Sequence, residues 1–280
     1  MCGIAGFCLT GGAKIDARVL ASELLLEIVA RGKDATGASW VDPSDGEVYY
    51  YKRAGSAWGF VKELKSLMSP DVRICILHTR YATQGSPSID ANNHPIIRPR
   101  IIGVHNGHIS NDDALFNEVG VKRIGQVDSE AAFALIESVG SDADSICEAL
   151  PRLIGGAALA WIDLESPETL RLARVKSSPL AIAQSKTGQF VFCSQMNMLN
   201  RAAAKSNLAL TWRAEVGEGT YLKVEQGAIN DWSEFAASGA GYALPSYSAP
   251  SLFADIDDDD AIWAEYLNSE REGDWQGWRG

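Results

Sequence analysis

Cysteine at position 2 is the residue of this chain best placed for chemistry. It stands in Met1-Cys2-Gly3-Ile4-Ala5-Gly6-Phe7, and a small second residue permits removal of Met1, leaving Cys2 first. A thiol and a free α-amine then share one residue. A Cys thiol titrates near ~8.5 and an α-amine near ~7.7–8.0, so both change protonation close to neutral pH. The thiolate attacks, and the amine shuttles protons directly or through a water. A cysteine near a chain start is more often inert or buried than catalytic. The remaining polar clusters therefore have to decide.

Those clusters are Arg31-Gly32-Lys33-Asp34-Ala35-Thr36-Gly37, His78-Thr79-Arg80-Tyr81-Ala82-Thr83-Gln84-Gly85, Asn92-Asn93-His94-Pro95, and His105-Asn106-Gly107-His108-Ile109-Ser110-Asn111. All four histidines fall within residues 78–108. No Asp, Glu or Cys accompanies them at zinc spacing, so no metal site is predicted. His78 and His105, at strand ends, read as loop-orienting residues that hydrogen-bond to the backbone. Asn106-Gly107 reads as a tight hairpin turn. Asp128 precedes an apolar-periodic segment and reads as a helix N-cap.

The elements that must position these groups follow from periodicity. Residues 3–9 read as a strand. Asp16 caps a helix over 16–31, with Leu20, Leu24 and Ile28 on one face and Gly32 ending it. The 31–37 stretch reads as a polar, glycine-bearing loop. Strands are predicted at 36–41, 47–53, 72–78 and 100–105, and helices at 57–68, 111–119, from 128 and at 143–151. Strands near 156–163, 169–175, 180–184, 189–193, 219–224 and 227–230, with a helix at 195–205, complete residues 1–235. The order is strands, helices, then strands, without regular alternation. That predicts an α+β fold of mainly antiparallel sheets with helices on their outer faces.

Composition narrows the functional classes. The chain has 280 residues, a net charge of −11 and a pI near 4.9, which argues against a general nucleic-acid binder. No basic leader with an apolar segment precedes a cleavage site, and the longest apolar stretch, 153–162, is too short for a bilayer. Five widely spaced cysteines without a Cys-x-x-Cys fit a reducing cytoplasm. Residues 251–280 hold nine acids and two bases, −7 of the −11. Residues 236–280 therefore read as a linker and an acidic, disordered tail. Asp255–Asp260 fails as an EF-hand, because Asp260 stands where Gly is needed and Tyr266 where Glu is needed. Trp263, Tyr266, Trp275 and Trp278 among those charges suggest docking on a basic partner.

Taken together and in order, the motifs from Met1-Cys2-Gly3-Ile4-Ala5-Gly6 to His105-Asn106-Gly107-His108-Ile109 resemble the glutaminase domain of class II glutamine amidotransferases. Asn93-His94-Pro95, Asp128-Ser129-Glu130 and Ser178-Pro179-Leu180 add to the resemblance, which covers about residues 1–230. It implies a four-layer αββα sandwich of the N-terminal-nucleophile hydrolase type and no cofactor. It implies Cys2 as nucleophile, with the Asn106 side chain and the Gly107 N–H as oxyanion donors. Arg80 would take the α-carboxylate of glutamine, for which its fork suits better than Lys. Asp128 would take the α-ammonium, and Tyr81, Thr83 and His94 would line the pocket. Arg31 would support the Cys2 strand or the pocket wall. The glucosamine-phosphate synthase branch usually has Trp where Tyr81 stands and His where Gln84 stands, so closure of the 81–88 loop differs here.

Family members usually carry a fused domain that consumes the ammonia, and the fifty residues after 230 are too few for one. The expectation is a stand-alone cytoplasmic glutaminase feeding a separate acceptor enzyme, without direct nucleic-acid or membrane binding. A hydrolase of another γ-glutamyl amide or peptide is the alternative. A non-catalytic binding protein is disfavoured by the joint presence of Cys2, Arg80, Asn106, Gly107 and Asp128.

Overall fold

Every residue of Gly3–Cys8 is buried, as a strand covered on both faces requires. A computed structural model describes residues 1–11 and 15–237 of the chain. Gly3–Cys8 is β1, followed by α1 (Ala17–Ile28), β2 (Ala35–Val41), β3 (Val48–Ala54), α2 (Ala57–Leu67) and β4 (Ile74–Arg80). Next come β5 (Ile96–Ile97), β6 (Ile101–Ile109), α3 (Asp112–Val119), α4 (Ser129–Val139) and α5 (Ala143–Ala149). The remainder is β7 (Gly155–Asp163), β8 (Ser166–Lys176), β9 (Ala181–Ser185), β10 (Phe190–Cys193), α6 (Met196–Lys205), β11 (Leu210–Glu215), β12 (Thr220–Glu225) and β13 (Ala228–Glu234).

A seven-stranded sheet runs β11-β9-β10-β1-β4-β2-β3, and a six-stranded sheet runs β13-β12-β8-β7-β6-β5. The strand pairs in both are antiparallel. Three apolar clusters separate four layers. Leu20, Leu24, Phe60 and Leu199 pack α1, α2 and α6 against Phe7 of the first sheet. Ile4, Ile76, Val104 and Phe192 fill the space between the sheets. Phe133 and Ile136 of α4 pack on Trp161 and Tyr221 of the second sheet. The result is the α+β, αββα sandwich expected from the sequence.

The alternation of β1 matters for the site. Ala5 and Phe7 face the helices, whereas Ile4 and Cys8 face the second sheet. Cys2 shares the parity of Ile4 and so belongs to the inter-sheet side. A one-residue slip would turn it away.

Several local expectations change. Asp16 does cap α1, its side chain accepting from the Arg18 N–H. The 31–37 stretch is not all loop: Arg31 ends a 3-10 turn, and β2 begins at Ala35. Asn106-Gly107 is no hairpin turn. Both residues lie inside β6, opposite Ala158 and Ala157 of β7. The two-residue β5 and the edge strand β11 were not expected. Among the described residues no helix is long and apolar enough to cross a membrane. The tail residues Trp263, Tyr266, Trp275 and Trp278 lie outside the described residues.

Candidate active site

Two strands of the first sheet bring the reactive end together. The register pairs Gly3 with Thr79 and Ile4 with His78, which sets Cys2 beside Arg80. From the second sheet, β6 contacts both β1 and β4. Along β6, Ile102 and Val104 face the inter-sheet core, and Asn106 shares their parity. Gly107 follows with φ +149°, a conformation an L side chain rarely adopts. A Cβ there would also collide with the Gly156 carbonyl oxygen. Glycine is therefore required where the strand bends at the site.

Cys2, Arg80, His94, Gly107 and Asp128 line one cavity, with Tyr81 and Thr83 at its exposed edge. Cys2 Sγ lies 3.6 Å from the Tyr81 carbonyl oxygen. Arg80 is buried and held by three hydrogen bonds, which leave two of its five N–H groups over: Nη1 donates to Asn93 Oδ1 at 2.8 Å, and Nη2 to the carbonyls of Gln84 (2.5 Å) and Gly85 (2.8 Å). Asp128 caps α4, with Oδ1 accepting from the Ser129 N–H at 2.9 Å. Its Oδ2 accepts from the Ile109 N–H at 2.7 Å and lies 3.3 Å from His108 Nδ1. The cavity volume is about 20 Å³. A single water needs ~10–15 Å³, so the cavity as it stands is too small for an amino acid.

Asn106 holds the most telling atom. The residue is 1% exposed, and its Nδ2 has no hydrogen-bond partner among the described residues. A buried donor without an acceptor costs ~1–3 kcal/mol, a cost that folds tolerate where a reacting group will supply the acceptor.

Three histidines back the site, all buried. His78 Nε2 donates to the His105 carbonyl at 3.1 Å, which puts its hydrogen on Nε2. His94 stacks on His78 with ring centroids 4.0 Å apart. His105 Nδ1 and Ser129 Oγ share a hydrogen bond of 2.8 Å. Burial pushes His78 down to about 3 and His94 well below the ordinary histidine range. Burial also lowers His105, against the pull of Asp128. All three are neutral at physiological pH. His78 fits the expected backbone-bonding role, whereas the ring of His105 meets a hydroxyl. Burial raises the Cys2 thiol, while the Tyr81 backbone, the terminal ammonium and Arg80 pull it down. A thiol held above its ordinary value needs a base to form its thiolate.

Arg31 serves the backbone and lies outside the cavity lining: its Nε donates to the Cys2 carbonyl at 2.7 Å. The expected pocket-wall role gives way to the strand-supporting one. Some contributors were missed from sequence. Asp34 Oδ2 accepts from the Ala82 N–H at 2.7 Å and fixes the start of the 81–88 segment. Asn93 and Lys52 reach the site through contacts that no local pattern announces.

Residues 78–201 match a family described as a glutamine amidotransferase domain. The glutamine–fructose-6-phosphate aminotransferase of Shigella flexneri is 30% identical over 206 residues, covering 71% of this chain and 32% of its own. That of Corynebacterium diphtheriae is 32% identical over 207 residues, covering 68% and 32%. The domain belongs to the class II glutamine amidotransferase family. This chain spans about a third of the length of those relatives. Glutamine phosphoribosylpyrophosphate amidotransferase from B. subtilis shares the fold of this amidotransferase domain, with a TM-score of 0.68 at 20% identity over 84% of this chain and 49% of that one. A glutamine aminotransferase class-II domain protein from Silicibacter pomeroyi superposes with a TM-score of 0.53 at 18% identity, over 84% of this chain and 99% of that one. The matched segment of the amidotransferase domain takes in Arg80, His94, Asn106, Gly107 and Asp128 and begins after Cys2.

Proposed function

We propose that this domain hydrolyses the side-chain amide of glutamine through a Cys2 thioester, giving glutamate and ammonia. The observation that carries this is the buried, unpartnered Nδ2 of Asn106, next in sequence to Gly107, which lines one cavity with Cys2, Arg80 and Asp128. After loss of Met1, the α-amine takes the thiol proton and the thiolate attacks the amide carbon. The carbonyl oxygen becomes an oxyanion, which accepts from Asn106 Nδ2–H and the Gly107 N–H. Collapse breaks the C–N bond, the amine passes its proton to the departing nitrogen, and ammonia leaves. Water then attacks the thioester, releasing glutamate and restoring the thiol. Arg80 holds the α-carboxylate and Asp128 the α-ammonium. Tyr81, Thr83 and His94 form the wall.

The wider setting is part of the same proposal. Residues 1–235 form the catalytic unit, and a separate acceptor enzyme takes the ammonia, docked by the acidic tail. By their names, the curated relatives pair glutamine with fructose 6-phosphate; the acceptor of this chain is a different question. All five cysteines are free thiols, which supports a cytoplasmic setting.

Intact mass and glutamine hydrolysis, measured on wild type and Cys2→Ala, test the reading. Loss of Met1, glutamate release by wild type and silence of the variant are expected. Retained Met1 blocks the α-amine and ends the proposal. If Met1 is lost but glutamine is untouched, a panel of γ-glutamyl peptides identifies the other amide. Deleting residues 245–280 tests the tail: unchanged partner binding and coupled activity would remove it from the scheme.

A further inference from the structure

Arg80 is held from behind by a side chain that takes no part in the reaction. Asn93 Oδ1 accepts from Arg80 Nη1 at 2.8 Å, and Asn93 is 1% exposed. The same amide donates through Nδ2 to the Pro87 carbonyl at 2.8 Å. Because the amide is planar, turning it breaks both bonds at once. Its oxygen and nitrogen ends are thereby assigned by their partners: Arg80 has only donors to offer, and the Pro87 carbonyl only accepts.

Asn93 is in turn tied to the edge of the first sheet. Lys52 of β3 donates from Nζ to the carbonyls of Asn93 and Pro95, each at 3.0 Å, straddling His94. Its side chain is 5% exposed, and Asp90, its ion-pair partner at 3.7 Å, is 69% exposed. Burial lowers the Lys52 ammonium below its ordinary range. A lysine placed only for a surface pair would keep its head in water. This one is withdrawn from water to fix two carbonyls. On β2, Gly37 lets the strap pass close, because a Cβ there would run into the His94 carbonyl oxygen.

A strap that needed only fastening would be served by the Lys52 bonds alone. The Asn93 amide does something more, since it holds Nη1 while the Gln84 and Gly85 carbonyls hold Nη2, and together they fix the plane of the Arg80 guanidinium. An arginine side chain is long and rotamer-rich, and a fork recognises a carboxylate only when its plane is right. Fixing that plane in the folded protein removes the ordering that substrate would otherwise have to impose.

We propose that Asn93, held by Lys52, is a positioning residue that aims Arg80 at the α-carboxylate of the substrate and so sets the requirement for a free α-carboxylate. This rests on the reading of Arg80 as the carboxylate-binding cation. Asn93 and Lys52 touch no reacting atom.

The experiment compares hydrolysis of the side-chain amide in L-glutamine and in L-glutamine α-amide, whose carboxylate is a neutral carboxamide. The enzymes are wild type, Arg80→Lys, Asn93→Ala, Asn93→Asp and Lys52→Met, each checked for folding by its thermal melt. Wild type prefers glutamine, and Arg80→Lys loses that preference. Asn93→Ala and Lys52→Met raise KM for glutamine about tenfold, the scale of one misaligned charge-assisted hydrogen bond, with kcat held within about twofold. KM for the α-amide stays put, so the preference shrinks by the same factor. The near-isosteric Asn93→Asp keeps the fold even if the alanine does not. Its carboxylate draws Arg80 away and repels the substrate's own, so its KM rise for glutamine is the largest. Equal losses on both substrates, or losses confined to kcat and melting temperature, make Asn93 and Lys52 merely structural and overturn the proposal while Arg80 keeps its role. If Arg80→Lys retains the preference, the reading of Arg80 falls and takes this proposal with it.

Discussion

Strand β1 runs between two cysteines of one parity, Cys2 just before its first residue and Cys8 at its last, and its two ends could hardly differ more. Around Cys8, the residues Leu9, Val41 and Ile74 line a cavity of about 320 Å³. Around Cys2 the cavity is about 20 Å³. Yet the roomy end has no machinery. Its Asp42 carboxylate is engaged by the Ser44 N–H and hydroxyl, and Arg73 and Glu168 stand exposed at the lip. Burial pushes the Cys8 thiol up to about 11, and the Glu225 carboxylate adds to the rise. The cramped end gathers a guanidinium, a carboxylate and two neutral imidazoles, those of His94 and His105, in the cavity with its thiol, and the unpartnered amide of Asn106 adjoins its Gly107. A site is made by convergence of polar groups, and neither volume nor a thiol alone provides it.

The sharpest way to break this contrast is to exchange the thiols for methyl groups one at a time. Cys2→Ala should lower glutamine turnover by about 10⁴-fold or more, as loss of a nucleophile does. A variant that keeps turnover within tenfold of wild type would erase the distinction between the ends. Next in size is Asn106→Ala, which removes the waiting oxyanion donor. If Asn106 is the oxyanion donor proposed above, kcat should fall by ~10²–10³, with KM little changed, in steady-state glutaminase assays.

Acid should also act at one end only. In the unfolded chain each histidine titrates near ~6.5. In the fold His78 titrates at about 3, and His94 and His105 are also lowered, in each case chiefly by burial. Between those values the unfolded state binds protons that the fold refuses. For His78, stability is therefore complete above ~6.5 and is lost as pH falls toward 3, by up to about 1.4 kcal/mol per pH unit, and His94 and His105 add losses of the same sign. Urea midpoints at pH 7 and pH 5 read this directly, and His78→Gln should make the fall shallower. Equal slopes in wild type and variant would count against a neutral His78. The smallest effect is expected at the roomy end. Cys8→Ala and Arg73→Ala should each leave kcat/KM for glutamine within about twofold, since neither residue approaches the reacting groups. A larger loss would couple the two ends.

Local chemistry was legible where a residue acts through its neighbours in sequence. Asp16 and Asp128 were readable as caps because a cap bonds within a residue or two of itself. Strand β11 was not legible, because a register shift between Leu210 and Trp212 interrupts its alternation: Leu210 packs on the helix side of the sheet and Ala214 on the inter-sheet side. Asn106-Gly107 misled, because the same dipeptide that favours a turn also suits a strand needing a positive φ and a close neighbour. Arg31 was half readable: the resemblance gave it the Cys2 strand or the pocket wall, and the structure gives its Nε the main chain of Cys2. The link from Lys52 to Asn93 to Arg80 was not legible at all. It joins three segments through side-chain and main-chain atoms whose meeting depends on the packed sheets.

The placing of β1 in mid-sheet has a consequence for the order of events during synthesis. Its partners arrive late: Gly3 pairs with Thr79, and Ala5 with both Leu77 and Cys193. At about 5–20 residues per second, the ribosome needs several seconds to deliver β4 and longer to deliver β10. Until then the first residues have no strand to join, and a processing peptidase meets them as bare chain. Removal of Met1, on which the proposed mechanism depends, thus has seconds of open chain available to it before the sheet can close around Cys2.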